Sequence, residues 1–284
     1  MHSSTLLFPD QLRPIAPVVF SPPARGQLTV SIVSHGQADL VDSLIRQLSR
    51  QTAFGLIDRV VLTLNIPEEI PDDWGKLGAF EVKIIRNKRP DGFAANHNRA
   101  LSGITQGIVA VLNPDLQLVG DPLSVLCEAA RAPGIGLAAP VVLEENGELA
   151  DSARDLLTPS SVISRTLLRS RHPSASPDWF AGMCIVLPAT AWRKMGGFDE
   201  RFRMYCEDFD LCARLRLAGL SLIQVREARL LHAARRSSHR SLQPLIWHLR
   251  SLWQVWRSST YRDYRKLLQT EEAKGIRHTV SSIG

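Results

Sequence analysis

From Leu28 to Leu112 the chain alternates short β-rich apolar runs with stretches of helical period, and this alternation narrows the fold more than any other feature. Leu28–Ser34 carries Val30, Ile32 and Val33; Leu40, Leu44 and Leu48 follow at helical spacing behind Asp39, which reads as their N-cap. Residues 59–64 are β-rich again, 80–85 predict a third strand, 93–104 a helix on a Phe93, Ala100, Leu101 and Ile104 face, and 108–112 a fourth strand. Strands and helices alternating at this pitch predict an α/β fold, Rossmann-like, with a mainly parallel sheet and helices on both faces.

Beyond Asp115 the sequence predicts a helix over 123–131, a strand over 137–142 and a tight turn at Asn146-Gly147. Residues 151–178 show polar and proline signals without a period and read as a mobile loop that closes over substrate. From Trp179 the expectations are a strand over 180–187, a helix opened by Pro188, a Gly196-Gly197 turn, a helix over 208–218 stopped by Gly219, and two strands near 221–225 and 228–232. The chain thus divides into a Pro-rich extension (1–27), a main domain (28–240) and a tail (241–284).

Composition excludes several classes. With 284 residues, 44% hydrophobic and 22% charged, the chain can bury a real core and is not disordered. No apolar run approaches the ~18 residues of a membrane span. The first twelve residues hold no Lys or Arg for a secretory leader, so a cytosolic protein is expected. Cys127, Cys184, Cys206 and Cys212 form no Cys-x-x-Cys pair and read as reduced core thiols. The net charge of +6 is uneven: residues 235–284 hold 10 Lys/Arg against 3 Asp/Glu, a balance of +7, whereas the other 234 residues carry −1. The basic character therefore belongs to the tail. There Leu245, Leu249, Leu252, Trp253 and Trp256 form an apolar stripe over 244–268 with Arg250, Arg257, Arg262, Arg265 and Lys266 nearby. A membrane surface or lipid-linked acceptor is one partner for that stripe, the core or a second subunit the other. The tail contains no nucleic-acid module, so nucleic acid is not expected as a partner.

In open α/β sheets ligands bind outside the carboxyl ends of strands, which singles out Ser34-His35, Asn65 and Asn113-Pro114-Asp115. Asp115 is a hard oxygen donor suited to Mg²⁺ or Mn²⁺ bridging a diphosphate, although Asn-Pro-Asp is also good turn chemistry, and spacing alone favours the turn. Glu207, Asp208 and Asp210 cluster at a predicted helix start, where free N–H groups and the helix dipole favour ionised carboxylates, one of which could act as a base. Capping by Asp208 would explain one acid and leave Glu207 and Asp210 unexplained. His35 and His97 as lone histidines read as structural; His232 differs in being followed by Arg235, Arg236, Ser237 and Ser238, an array suited to phosphate oxygens.

Taken together, Asp91-Gly92-Phe93-Ala94-Ala95-Asn96-His97-Asn98, Leu112-Asn113-Pro114-Asp115, Gly182, Gly196-Gly197-Phe198-Asp199-Glu200, Glu207-Asp208-Phe209-Asp210-Leu211 and His232 resemble the ordered motifs of glycosyltransferase family 2, in its rhamnosyltransferase-like branch. The resemblance spans about residues 28 to 240 and implies a glycosyltransferase A fold, a nucleotide-diphosphate sugar donor, a saccharide or lipid-linked saccharide acceptor, and inversion at the anomeric carbon. It implies Asp208 as catalytic base; Ser34, His35, Asn65, Gly92, Phe93, Asn98, Asn113, Asp115 and Arg236 on the donor side; Trp179, Gly182 and Glu207 on the acceptor side; and Asp115 with His232 as ligands of Mg²⁺ or Mn²⁺. The donor implied is dTDP-L-rhamnose, with a UDP-hexose or a non-catalytic nucleotide-sugar-binding protein as rivals. Three positions depart from the pattern: Leu64 precedes Asn65 where an Asp that contacts the base is usual, Ala100 replaces a Gly, and Ala233-Ala234 replace a polar, Gly-rich stretch.

Overall fold

A computed structural model describes residues 27–51, 55–77, 80–167, 174, 176–233 and 243–275. Strand β1 (Leu28–Ser34) is followed by α1 (Ala38–Gln51), β2 (Ile57–Leu64), a 3₁₀ turn (Trp74–Leu77), β3 (Glu81–Arg86), α2 (Phe93–Ala100), β4 (Ile108–Leu112) and β5 (Leu116–Val119). Next come α3 (Pro122–Arg131), β6 (Ile135–Glu144), β7 (Ala153–Arg154), α4 (Pro159–Leu167), β8 (Trp179–Phe180), β9 (Cys184–Pro188), α5 (Ala189–Met195), α6 (Glu207–Leu217), β10 (Ser221–His232), α7 (Gln243–Arg257) and α8 (Ser259–Ala273). The large sheet has eight strands in the order β3-β2-β1-β4-β9-β6-β10-β5. β1 to β4 are mutually parallel, as are β6 and β10, whereas β9 runs antiparallel between β4 and β6, and β5 antiparallel to β10.

The central strands β1, β4 and β9 are buried on both faces, as expected where helices cover the sheet on either side, whereas the edge strand β3 is largely exposed. Alternation along the strands divides the core in two. Val30, Ile32, Ala110, Leu112, Ala138 and Val186 face α1 and α3, while Val109, Val111, Leu137, Ala139, Ile185 and Leu187 face α5, α6 and the tail helices. The second layer includes Leu252 and Val255 of α7 and Tyr261 and Tyr264 of α8, so the tail is part of this core. All four cysteines are buried and free, and no helix among the described residues is long and apolar enough to cross a membrane.

Several local expectations are corrected. Asp39 lies inside the first turn of α1; the turn begins at Gln37, whose carbonyl accepts from Leu40 and Val41 and whose own N–H donates to Ser34 Oγ. The predicted helix over 93–104 ends at Ala100. The strand expected over 180–187 is two strands, parted at residues 181–183 where Gly182 turns its N–H toward α6. The two strands near 221–225 and 228–232 are one, β10, with a register shift between Val225 and Arg229 that absorbs Arg226, Glu227 and Ala228. The loop expected over 151–178 contains β7, paired with β8, and α4. Two of its described residues are held by the tail helices: the Trp256 indole donates to the Leu157 carbonyl and the Tyr264 hydroxyl to that of Asp178. The tail itself breaks at Ser258, which caps α8.

Gly92 shows how closely the pieces approach. The Phe93 N–H donates to the Arg203 carbonyl at 2.9 Å, and a Cβ on Gly92 would lie 2.6 Å from that oxygen. The contact joins the start of α2 to the segment leading into α6, with backbone on both sides and no flexible side chain to yield. Gly92→Ala is expected to cost about 1–3 kcal/mol of stability, the usual range for overpacking; an unchanged urea midpoint would contradict this.

Candidate active site

The residues named from the sequence converge at one edge of the sheet. β1 and β2 end there with Ser34-His35 and Leu64-Asn65, and β4 ends there before Asn113. Because β9 is antiparallel to β4, it begins at the same edge, with Cys184 opposite Leu112. β6 and β10 end there in register, Glu144 opposite His232, and Leu116 at the start of β5 also faces His232.

On the β10 side, Asp115 and His232 meet. The Asp115 carbonyl accepts from Ala233 at 2.9 Å, and its Oδ2 lies 3.2 Å from His232 Nε2. His232 Nδ1 lies 3.2 Å from Glu144 Oε2. The bond to Asp115 is the chief reason that the imidazole is held up at about 9; burial opposes it and Glu144 adds to it. Glu144 was not anticipated, since its role depends on the register of β6 against β10. Asp115 Oδ1 is buried without a hydrogen-bond partner among the described residues. A buried carboxylate oxygen left open beside an imidazole fits a divalent cation, which would displace the proton that the histidine holds here. Among the described residues no cluster of three or more His, Cys, Asp or Glu could hold a metal unaided. Asp115 and His232 would therefore supply two ligands, leaving the remainder to phosphate oxygens and water, as hard divalent cations commonly bind beside substrate phosphates.

On the α6 side, the backbone enters the helix through Tyr205 (φ 72°) and Cys206 (φ 70°), both left-handed without being glycine. Such residues cost of order 1–3 kcal/mol each and persist where the surroundings hold them. Here α7 holds them: Ser251 Oγ donates to the Met204 carbonyl, and the His248 ring meets Tyr205 edge-on at 5.1 Å between centroids. Cys206 rather than Asp208 occupies the N-cap position. Asp208 is half-buried; its Oδ2 accepts from Gly182 N–H at 2.9 Å and its Oδ1 from Phe209 N–H at 2.8 Å. Glu207 is 5% exposed and its Oε2 has no partner among the described residues.

Burial works against the helix start in setting the charge of Glu207 and Asp208. Desolvation pushes Glu207 well above the ordinary carboxylate range, and the neighbouring Asp208 charge adds to this. Asp208 is also raised by burial, but the Gly182 N–H and the charge of Arg154 pull the other way. Asp210, the third acid, is accounted for by its ion pair with Arg214 at 2.7 Å.

The two clusters are joined through consecutive residues. Asn113 N–H donates to the Met183 carbonyl at 2.8 Å, and the adjacent Gly182 holds Asp208. A Cβ at Gly182 would find Asp208 and Phe93 at ordinary contact distances, so the position contributes its N–H rather than a missing side chain.

The remaining candidates are structural in their observed contacts. Asn65 is 7% exposed; its Oδ1 accepts from Asn87 Nδ2 and Asp91 N–H, while its Nδ2 donates to the Asp91 carbonyl and lies 3.1 Å from His35 Nδ1. It fixes the loop before α2, and Leu64 beside it is buried. Ser34 is fully buried and donates to Glu68. Asn98 clamps the Phe198 backbone from both sides and donates to Glu200. Phe93 packs on His97 and Phe198. Trp179 is buried, its indole donating to the Asp155 carbonyl and the Arg154 guanidinium stacking 4.9 Å from its ring. Arg154 is the missed charge near Asp208; no local signal in residues 151–178 marked it. Arg236 lies outside the described residues.

No protein-family model matches the chain. It is 32% identical over 149 residues to the N-acetylglucosaminyl-diphospho-decaprenol L-rhamnosyltransferase of Mycobacterium tuberculosis, 46% of this chain and 48% of that protein, so the alignment covers about half the length of that relative. Against the rhamnosyltransferase WbbL of Escherichia coli it is 25% identical over 242 residues, 78% of this chain and 89% of that one. Among solved structures, GalNAc-T7 with UDP, GalNAc and Mn²⁺ superposes with a TM-score of 0.62 at 19% identity, covering 84% of this chain and 49% of that chain. The Pyrobaculum calidifontis mannosyltransferase PcManGT with GDP-Man and Mn²⁺ gives 0.55 at 15% identity, covering 93% and 85%. The glycosyltransferase A fold implied by the motifs is the fold found, and the resemblance to rhamnosyltransferases holds against curated relatives.

Burial of Glu207 has a consequence for stability. A carboxyl whose pKa is raised on folding binds its proton more tightly in the native state, so its contribution is complete below the unfolded value near 4.5 and is lost as pH rises through the folded value. Glu207→Gln removes that loss. The variant is expected to gain thermal stability relative to the parent at pH 8, with the gap closing toward pH 4; a constant gap across that range would contradict a raised Glu207.

Proposed function

We propose that this chain, a relative of the rhamnosyltransferases with the glycosyltransferase A fold, is an inverting, metal-dependent glycosyltransferase that moves L-rhamnose from dTDP-L-rhamnose to a saccharide acceptor in cell-surface polysaccharide assembly. The observation that carries the proposal is the placing of the half-buried Asp208, on its Gly182 N–H, at the same sheet edge as the Asp115–His232 pair. Single displacement with inversion needs a base on one side of the sugar and charge neutralisation for the departing diphosphate on the other.

Asp208 is the base that takes the proton from the acceptor hydroxyl. Its burial raises its basicity, and the Gly182 and Phe209 N–H groups with Arg154 keep it the ionised member of the acidic pair. Glu207, more deeply buried and lacking a partner on Oε2, holds the proton that the pair shares. Asp115 and His232 hold Mg²⁺ or Mn²⁺, whose chemistry when bound is to neutralise the diphosphate. The names of the relatives support rhamnose as the sugar, and the Mn²⁺ complexes of the solved neighbours support the metal. The UDP complex of GalNAc-T7 supports a UDP-hexose as the second reading of the donor, whereas Leu64, buried where a base-contacting Asp is usual, weakens recognition of uracil and thymine alike.

Asp208→Asn keeps shape and the bond to Gly182 but accepts no proton. Transfer from dTDP-L-rhamnose is expected to fall by about 10²–10⁴-fold with donor affinity little changed. A folded variant that transfers at near-parental rate would remove Asp208 as the base. Asp115→Ala is expected to weaken the sugar nucleotide, titrated calorimetrically with Mn²⁺ present, far more than the free nucleoside. Equal affinity of variant and parent for the sugar nucleotide would remove Asp115 from the metal site.

A further inference from the structure

Helix α7 is two-faced. On its inner face Ser251, Leu252 and Val255 are buried, and Ser251, His248 and Trp256 bind the body of the protein through the contacts described above. On its outer face Leu245, Ile246, Leu249 and Trp253 are 54%, 61%, 58% and 58% exposed. Leu245, Leu249 and Trp253 succeed one another at four-residue spacing and Ile246 lies three before Leu249, so the four make one strip. This corrects the stripe expected from the sequence: Leu252 and Trp256 turn to the core, and Ile246 replaces them on the surface. Soluble proteins keep contiguous exposed apolar surface small unless it meets a partner.

The charges around the strip indicate which partner. α7 contains no acidic residue. At 100° per residue, Arg250 and Arg257 fall along one border of the strip, and the Arg257 guanidinium stacks 4.6 Å from the Trp253 ring. A second copy seated on this helix by a two-fold axis would bring the same arginines together with no carboxylate of α7 between them. An anionic lipid surface offers complementary charge to the border and an acyl boundary to the strip, the setting in which Trp is favoured.

We propose that the outer face of α7 docks on an anionic lipid surface. The inner face of the same helix holds Met204 and Tyr205, which Cys206 joins to Glu207-Asp208, so docking would turn the approach to the candidate base toward that surface. There it would meet an acceptor whose lipid part stays in the bilayer. That consequence rests on the proposed function; the docking does not.

The full chain should float with vesicles of phosphatidylglycerol and phosphatidylcholine and fail to float with phosphatidylcholine alone. Leu249→Gln with Trp253→Gln should abolish flotation without lowering the melting temperature, because both side chains are more than half exposed. Arg250→Gln with Arg257→Gln should weaken binding on the order of tenfold or more. A parent chain that ignores the anionic vesicles, or an apolar variant that floats like the parent, overturns the proposal. So does a parent dimer, seen by sedimentation velocity, that the apolar variant dissociates, since the face would then join two copies. Flotation uses no sugar nucleotide: a chain that floats but transfers no sugar would sink the proposed function and leave the docking standing.

Discussion

The bond from the Gly182 N–H to Asp208 joins the parts on which the rest depends. It requires that the chain stop being a strand between β8 and β9, because an N–H committed to α6 cannot also serve the sheet. It also decides the chemistry of the acidic pair. Two adjacent carboxyls taken from water cannot both stay charged cheaply: burial raises both, Glu207 well above the ordinary carboxylate range, while the Gly182 and Phe209 N–H donors and the charge of Arg154 oppose the rise at Asp208. Asp208 is itself raised by burial, which suits the part of base proposed for it.

The sheet order does the corresponding work for the other cluster. Inserting β9 antiparallel between β4 and β6 places its beginning, rather than its end, beside the end of β4. Residues 182–183 therefore reach Asp208 on one side and Asn113 on the other. The parallel pairing of β6 with β10 then aligns Glu144 with His232, and the reversal of β5 returns Leu116, next to Asp115, to the same edge. A slip of one residue in either pairing would turn His232 or Glu144 to the opposite face and dissolve the contact.

Much of this was legible. The bounds of β1 and β4, the glycine turn at Gly196-Gly197 and the edge holding Asn113-Pro114-Asp115 follow from local period and turn chemistry. What was not legible depends on distant partners. Asp39 and Asp208 have the chemistry of N-caps, but cap assignment turns on backbone geometry, and at α6 the cap is Cys206 in a left-handed conformation held by α7. Leu157 and Asp178, in a stretch without a period of its own, are held by Trp256 and Tyr264, about a hundred residues further along the chain. Arg154 and Glu144 were missed for the same reason: each acquires its place from a tertiary neighbour.

The central claim is that Asp115 and His232 form the diphosphate side, and Asp208 the base side, of one site. A crystal of the protein with Mn²⁺ and dTDP, measured for anomalous scattering at the manganese edge, tests it directly. The expected result is a peak ligated by Asp115 and His232 and by diphosphate oxygens, with Asp208 free of the metal and facing the space beyond the terminal phosphate. A nucleotide bound with its metal on Glu207 and Asp208, or at any place that leaves Asp115 and His232 bonded only to each other, would contradict the assignment.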